Sequence, residues 1–543
     1  MKRSLLLLLS LVIIVGLFSG CAGDKATTTT ATTAPTLKAD SNFNATGYPI
    51  AKEPVTFSVL ASNSSAQADD WNNYTAQKYW SDYTNVYFTF EYITSTDWAT
   101  QINLKLSAGD IPDMIKSAMD TSIIQTHGVE GGKFFDYSQY YEDYMPNMTK
   151  AFAKYPDMKA FGTMMDGGVY QLVQNIWTYT MANPIYYRDD MMREMGASIP
   201  KTIDEFYDLL VQAKDFYSGV DGYYPLISDI TWLHQNIFPA FGKAWQQPFG
   251  DNGDGKVSYS LISDQWKLYL EFVAKLYSDK LIDQEIFTMD AATINAKIKA
   301  GQCLFIGNNG TQLTKDYYES GKVETKILAP LISEYDSEQK VVNISSYGWC
   351  GVVINDKCES PEYLMRYFDM FYTEPDEVFD GICGLSSWLG IKGVDWELTE
   401  DGNNYYRILP DDTFGLSEEE YKNKYVYGGG YTGLVILDKF PINNPTQEMK
   451  AYESAASYYP YMKPRMLDAQ FKYTEEENAE LASLITDITT YANTATAQFI
   501  NGTMQITDAN WDKYINDLKQ MSIERILEIK QIGYDRWNEA LGG

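Results

Sequence analysis

Between residues 55 and 116 the chain alternates two periodicities, and that alternation restricts the fold more than any other feature. Val55, Phe57 and Val59 recur at the period of two of a strand. A polar loop, Ser62 to Asp70, leads into a helix expected from about Trp71 to Tyr83. Val86, Phe88, Phe90 and Tyr92 alternate again. A helix from about Asp97 is expected to end before Gly109, and Pro112 to Lys116 reads as a third strand. Strand and helix in turn at such spacing imply an α/β fold, a mainly parallel sheet with helices on its faces. Ligands of such sheets sit beyond the carboxyl ends of the strands. The loops Ser62-Asn63-Ser64 and Ser117 onward therefore border a candidate site.

The middle of the chain is more helical. Thr202-Ile203-Asp204-Glu205, after Pro200, is a capping box, with Phe206, Leu209, Leu210, Ala213 and Tyr217 forming one apolar stripe behind it. A second helix follows Ser263, with Trp266, Tyr269, Leu270, Val273 and Leu276 on one face. Cys303 to Ile306 and Val352 to Ile354 read as strands, Asn308-Asn309-Gly310 as a sharp turn, Pro361 to Tyr372 and Trp511 to Trp537 as helices. No internal repeat is visible.

The N-terminus fixes a compartment. Lys2 and Arg3 precede a run from Leu5 to Phe18 that is apolar apart from Ser10 and Gly16. It falls short of the ~20 residues of a spanning helix, so a signal peptide over 1–20 is expected. Leu17-Phe18-Ser19-Gly20-Cys21 resembles a bacterial lipobox, although Phe18 stands where that motif prefers Leu. The resemblance implies a lipid on Cys21; the other reading is a plain signal peptide with a spare cysteine. Residues 21–52, rich in Thr and Ala at first, read as a disordered tether.

A net charge of −30 repels phosphate backbones, so no nucleic-acid partner is expected. The cysteines Cys303, Cys350, Cys358 and Cys383 include no C-x-x-C pair, and buried thiols are expected, with a Cys350–Cys358 bridge as the alternative. Gly250 to Lys256 fits the G-x-x-x-x-G-K frame, but Val257 replaces the magnesium ligand and Asp251 and Asp254 would repel phosphate. As a calcium loop it puts Gly250 and Leu261 where carboxylates belong, so it reads as a surface turn. The only histidines are His127 and His234. No metal site, cofactor or catalytic residue is expected, while a two-carboxylate glycosidase is not excluded by composition. The aromatic excess, with 43 Tyr, 24 Phe and 12 Trp, suits sugar faces, whose stacking needs flat rings with polar neighbours.

Lys105-Leu106-Ser107-Ala108-Gly109-Asp110-Ile111-Pro112-Asp113 resembles the KL-x-AGD-x-PD segment of extracellular solute-binding proteins, family 1. Asp166-Gly167-Gly168-Val169-Tyr170 is similar to that family's DG-x-x-Y turn. Tyr187-Arg188-Asp189-Asp190, with Pro200 to Phe206, resembles its YR-x-D and P-x-T-x-DEF region, and Lys299 to Cys303 a later helix end. The likeness runs from about residue 54 onward and is greatest to the LipO-like lipoprotein branch. It implies a two-lobed, type II periplasmic-binding-protein-like fold with several hinge crossings and a large interlobe cleft. Lobe one is expected over 53–180 and 340–400, lobe two over 181–339 and 401–543. The crossings are expected at Trp177 to Pro184, Asp336 to Tyr347 and 395–410. It further implies a monomeric, non-enzymatic binder on the extracellular face of the cell membrane, anchored at Cys21. Such a protein delivers a small solute, best a sugar or oligosaccharide, to the permease of an ABC importer. A peptide cargo and a secreted carbohydrate-active enzyme are the alternatives. Candidate ligand-binding residues are the loop aromatics Trp71, Trp177, Trp232, Trp349 and Trp388, with Asn63, Asp229 and Asn308 as hydrogen-bond partners. Trp80, Trp98 and Trp266 are assigned to packing.

Overall fold

The computed structural model describes residues 37–541 except 38–39, 64–69, 179–183, 244–247, 252, 308–324, 344–346, 375–376, 378, 399, 401–403, 409–432, 438–439, 443–458 and 465–470. Strands Val55–Asn63 and Val86–Thr94 pair in parallel over nine residues, from Val55 opposite Val86 to Asn63 opposite Thr94. Met114–Lys116 adds in parallel to the first, and Val352–Ile354 closes the sheet antiparallel to it. The alternation has its expected effect, since Phe57, Val59, Val86 and Phe88 are buried. Only a 3-10 turn, Trp71–Asn73, occupies the expected start of the next helix, because Tyr74 is extended; the α-helix runs Thr75–Thr84.

The family segment at Lys105 to Asp113 is structural. Gly109, at φ 73, caps helix Trp98–Ala108 in the left-handed conformation. The Asp113 carboxylate accepts from Ser58 N at 2.8 Å and Ser58 Oγ at 2.6 Å, fastening the third strand to the first.

A second sheet runs Thr325–Ile327, Ile185–Arg188, Phe305–Gly307, Leu226–Ser228, the last two parallel. Thr202 caps helix Ile203–Phe216 with both halves of its capping box formed. That helix, Asp264–Ser278 and the C-terminal helices Glu475–Ile500, Asp508–Gln520 and Ile523–Ala540 share one apolar core with Ile185, Leu226 and Phe305. The first sheet's core is separate, formed by Phe57, Val59, Phe152, Ile354, Phe368 and others. Two cores of this kind are the two lobes.

Two strands on the chain's passages between these cores pair in one sheet with a third strand. Val173–Thr178 pairs antiparallel with Tyr347–Trp349 and in parallel with Leu434–Leu437. The first overlaps the stretch 177–184 at its end and the second meets 336–347 at Tyr347, while at 395–410 Trp396 packs with Cys383, Leu385 and Leu389. Within the stretch 401–543, expected in lobe two, Leu434 and Trp537 pack into the first lobe's core. Gly351, beside this junction, approaches the backbone of Ser117 and Ala118 so closely that an added Cβ would stand 2.2 Å from it.

The tether, expected to reach residue 52, stops earlier among the described residues. From Asp40 to Ala51 the chain is a strap on the first lobe, because Phe43 and Ile50 supply the apolar groups that the Thr/Ala tract lacks. Asp40 Oδ1 accepts from Tyr363 Oη at 2.6 Å, and Arg366 donates to the carbonyls of Asn44 at 2.5 Å and Gly47 at 3.1 Å. Under this strap helix Pro361–Asp369 is buried all round, charged residues included. The Gly250 to Lys256 segment is the turn of the hairpin Phe249–Asp251 and Val257–Tyr259, with Asp251 Oδ1 accepting from Gly253, Asp254 and Gly255 amides. Cys303, Cys350, Cys358 and Cys383 are unpaired and buried. Among the described residues no helix is long and apolar enough to cross a membrane.

Candidate functional site

In the second sheet the parallel register sets Ser228 beside Gly307, and Ser228 Oγ donates to the Gly307 carbonyl at 2.9 Å. Both strands therefore end level. Asp229 follows directly and caps helix Ile230–Ile237, accepting from the Trp232 amide at 3.0 Å. Burial raises the Asp229 carboxyl above the usual aspartate range, against the lowering by its bonds to backbone amides. Trp232, in the first turn of this helix, is half-buried. One carboxylate and one partly open indole thus stand at a strand's carboxyl end, where sheets of this type hold ligands.

The first sheet offers a different arrangement. Asn63 ends its strand and accepts from Trp71 Nε1 at 3.4 Å, so the structure does bring these two together. Trp71 itself is 0% exposed, its ring against Phe90 and Tyr92 with centroids 5.5 Å from each, and its amide donates to Tyr92 Oη at 2.7 Å. Its ring is a packing group. Trp177 and Trp349 both lie in the three-stranded junction, opposite Ile436 and Val173 respectively. Trp388 is half-buried on the short helix Ser386–Leu389, next to the Cys383, Leu385 and Trp396 cluster. Asn308 and Cys21 lie outside the described residues. Trp80 and Trp266 are core, and Trp98 is partly buried, as the sequence implied.

One group at the first sheet's carboxyl end was missed. Lys116 ends the third strand and is buried, its Nζ donating to the Cys350 carbonyl at 2.8 Å. Burial pushes its amine down to about 8. Gln171, also buried, then clamps the following loop, its amide exchanging bonds with Met119 N at 2.9 Å and Met119 O at 3.1 Å. The lone charge closing the apolar run Met114-Ile115-Lys116 was the available signal.

Neither histidine sits in a nucleophile–base pair. His234 is on the buried face of the helix Ile230–Ile237, Nδ1 at 2.6 Å from Tyr269 Oη, and burial pushes its imidazole down to about 3. His127 Nδ1 faces Lys133 Nζ at 3.4 Å. Among the described residues no cluster of His, Cys, Asp and Glu has the geometry to hold a metal.

Comparison with known proteins agrees. The pattern of the family described as bacterial extracellular solute-binding protein matches residues 63–336. The fructooligosaccharide ABC transporter substrate-binding protein FusA of Streptococcus pneumoniae is 24% identical over 479 residues, 81% of this chain and 83% of that protein. Its structure in complex with kestose has a TM-score of 0.70 at 21% identity, covering 89% of this chain and 100% of the other. Lipoprotein LipO of Bacillus subtilis is 22% identical over 334 residues, 59% of this chain and 63% of LipO. An HMO binding, ABC-transporter associated solute-binding protein from Bifidobacterium longum infantis has a TM-score of 0.73 at 16% identity, covering 89% of this chain and 99% of the other. With a mixed α/β architecture of several mixed sheets and a family pattern over residues 63–336, this chain belongs to the bacterial extracellular solute-binding proteins and has their type II fold.

Proposed function

We propose that this protein captures a sugar of oligosaccharide size between its lobes and passes it, chemically unaltered, to the permease of an ABC importer. The observation that carries the reading is the half-buried Trp232 above the Asp229 cap, at the carboxyl end of the Leu226–Ser228 strand. An indole face and an adjacent carboxylate are what a pyranose or furanose ring needs, one for its C–H face and one for its hydroxyls. The likeness to FusA, whose name specifies fructooligosaccharides, supports sugar over peptide. Trp177, Trp349, Trp388, Asn63 and Asn308 complete the candidate surface in this reading, while Trp71 supports it from behind. The protein works as a monomer outside the cell, held at the membrane by a lipid on Cys21, with 1–20 removed. Intact-mass analysis of membrane-extracted protein is expected to show a chain beginning at lipidated Cys21, and an unmodified Cys21 would refute the anchor.

The functional test is a thermal-shift and calorimetric screen of kestose, longer fructooligosaccharides, other glycans and short peptides. A bound sugar at a hundred times its Kd should add ~2.7 kcal/mol of stability. Stabilisation with the glycan recovered intact supports capture. Stabilisation by peptides alone would reassign the cargo, and new reducing ends would make the protein an enzyme.

A further inference from the structure

The C-terminal helix Ile523–Ala540 belongs to both lobes. Ile523, Ile526 and Ile529 are buried in the second core, and Trp537, two turns on, is buried in the first. Beside it runs Lys472, whose amide donates to the Gly533 carbonyl at 3.1 Å and whose carbonyl accepts from Arg536 at 3.2 Å. Arg536 in turn holds Glu477, the acidic half of the Thr474 capping box that starts helix Glu475–Ile500. The backbone of Lys472 is thereby fixed to the C-terminal helices.

Its side chain points the other way, to the first lobe. Lys472 Nζ donates to the carbonyls of Phe161 at 2.9 Å and Thr163 at 2.8 Å. These are terminal carbonyls of helix Pro156–Gly162, where unsatisfied C=O groups and the helix dipole both favour a cation. The helix rests directly on the joining strand Val173–Thr178, since a Cβ at Gly162 would fall 2.2 Å from Val173 Cγ2. The ammonium also lies 5.5 Å from the Trp537 ring. Burial lowers its pKa to about 8, and among the described residues no ion pair offsets that cost. A half-buried lysine whose hydrogen bonds, among the described residues, go to carbonyls is a poor device for stability alone, because an apolar side chain in the same space would avoid the desolvation. What the lysine supplies is direction, a bond across the junction at one angle.

We propose that Lys472 is a positioning residue for solute capture, tying the end of helix Pro156–Gly162 to the C-terminal helices beside the joining strands and so setting the angle between the lobes. The inference rests on the capture reading for its purpose, but not for its test. The test uses the ligand-free full chain with Lys472→Met, which keeps the length and removes the donor, and Lys472→Arg, which restores a cation and donors. The Met variant should alter the radius of gyration in small-angle scattering and speed amide exchange across 173–178 and 347–349 tenfold or more. The Arg variant should return both readouts toward the original. Unchanged scattering and junction exchange in the Met variant would overturn the proposal, as would equal changes in both variants. Should the Met variant fail to fold, Lys472→Gln, which keeps one donor group, is expected to give the intermediate result, and its matching the original would overturn the proposal. A second arm measures kestose affinity: a weakening of threefold or more in the Met variant supports the proposal. Absence of kestose binding to the original protein would count against the cargo assignment alone, with the ligand-free arms still deciding on Lys472.

Discussion

Trp71 and Trp232 are two answers to one local instruction. Each follows a strand, and each sits in a first helical turn capped by an aspartate, Asp70 accepting from the Asn72 amide at 3.0 Å and Asp229 from the Trp232 amide at 3.0 Å. The first ring is sealed against Phe90 and Tyr92; the second remains partly open. The difference comes from the neighbours. The strand Val86–Thr94 lies beside Val55–Asn63 along its whole length and carries two rings to cover Trp71. Helix Ile230–Ile237 instead turns Leu233, His234 and Ile237 to the core and leaves Trp232 at the rim. Capping places an aromatic near a strand end, and residues distant in sequence decide whether a ligand can reach it.

The comparison breaks most visibly if the sealed ring proves dispensable. Trp71→Ala should cost about 3–5 kcal/mol of unfolding free energy in denaturant titration. A stable Trp71→Ala protein with weakened sugar binding would put the indole in the site after all.

His234, the inward neighbour of Trp232, tests the other face of that helix. Its imidazole stays neutral when folded, down to about 3 against 6.5 for the free group. The unfolded chain therefore takes up this proton first as pH falls. The stability His234 contributes is whole above about 6.5 and is lost as pH drops towards 3. His234→Gln, which keeps a hydrogen-bonding partner for Tyr269, should flatten the dependence of unfolding free energy on pH in that window. An unaltered pH profile would mean the ring is open to water.

The smallest effect is the most informative about function. Trp232→Ala should change stability by under ~1 kcal/mol, as a half-exposed side chain does, yet weaken binding of the best sugar from the screen tenfold (~1.4 kcal/mol) by calorimetry. Equal affinity would make Trp232 a second packing group and remove the contrast.

The same contrast explains how much could be read in advance. The strands at 55, 86 and 114 and the Thr202 box are legible because period-two burial and capping are local. The candidate at Asp229 and Trp232 was placed for the same reason, by a strand end and a cap. The burial of Trp71 was not legible because its cover comes from Phe90 and Tyr92, about twenty positions on. Helix Pro361–Asp369 was legible as a helix but not as a fully buried one. Glu362, Arg366 and Asp369 look like a solvated face until the strap at 40–51 covers Arg366 and the Asp369 carboxylate is seen to accept from the Asn147 and Met148 amides. The strand Leu434–Leu437 escaped notice because four residues with one partner across more than two hundred positions leave no periodic trace.

The strap has a mechanical corollary. A pull on the chain at Asp40 would pass through Tyr363 and Arg366 into helix Pro361–Asp369 of the first lobe. If the chain is held from its amino-terminal side by the proposed lipid on Cys21, the first lobe would be the moored one and the half bearing Trp232 would hang from it, like a door on its post.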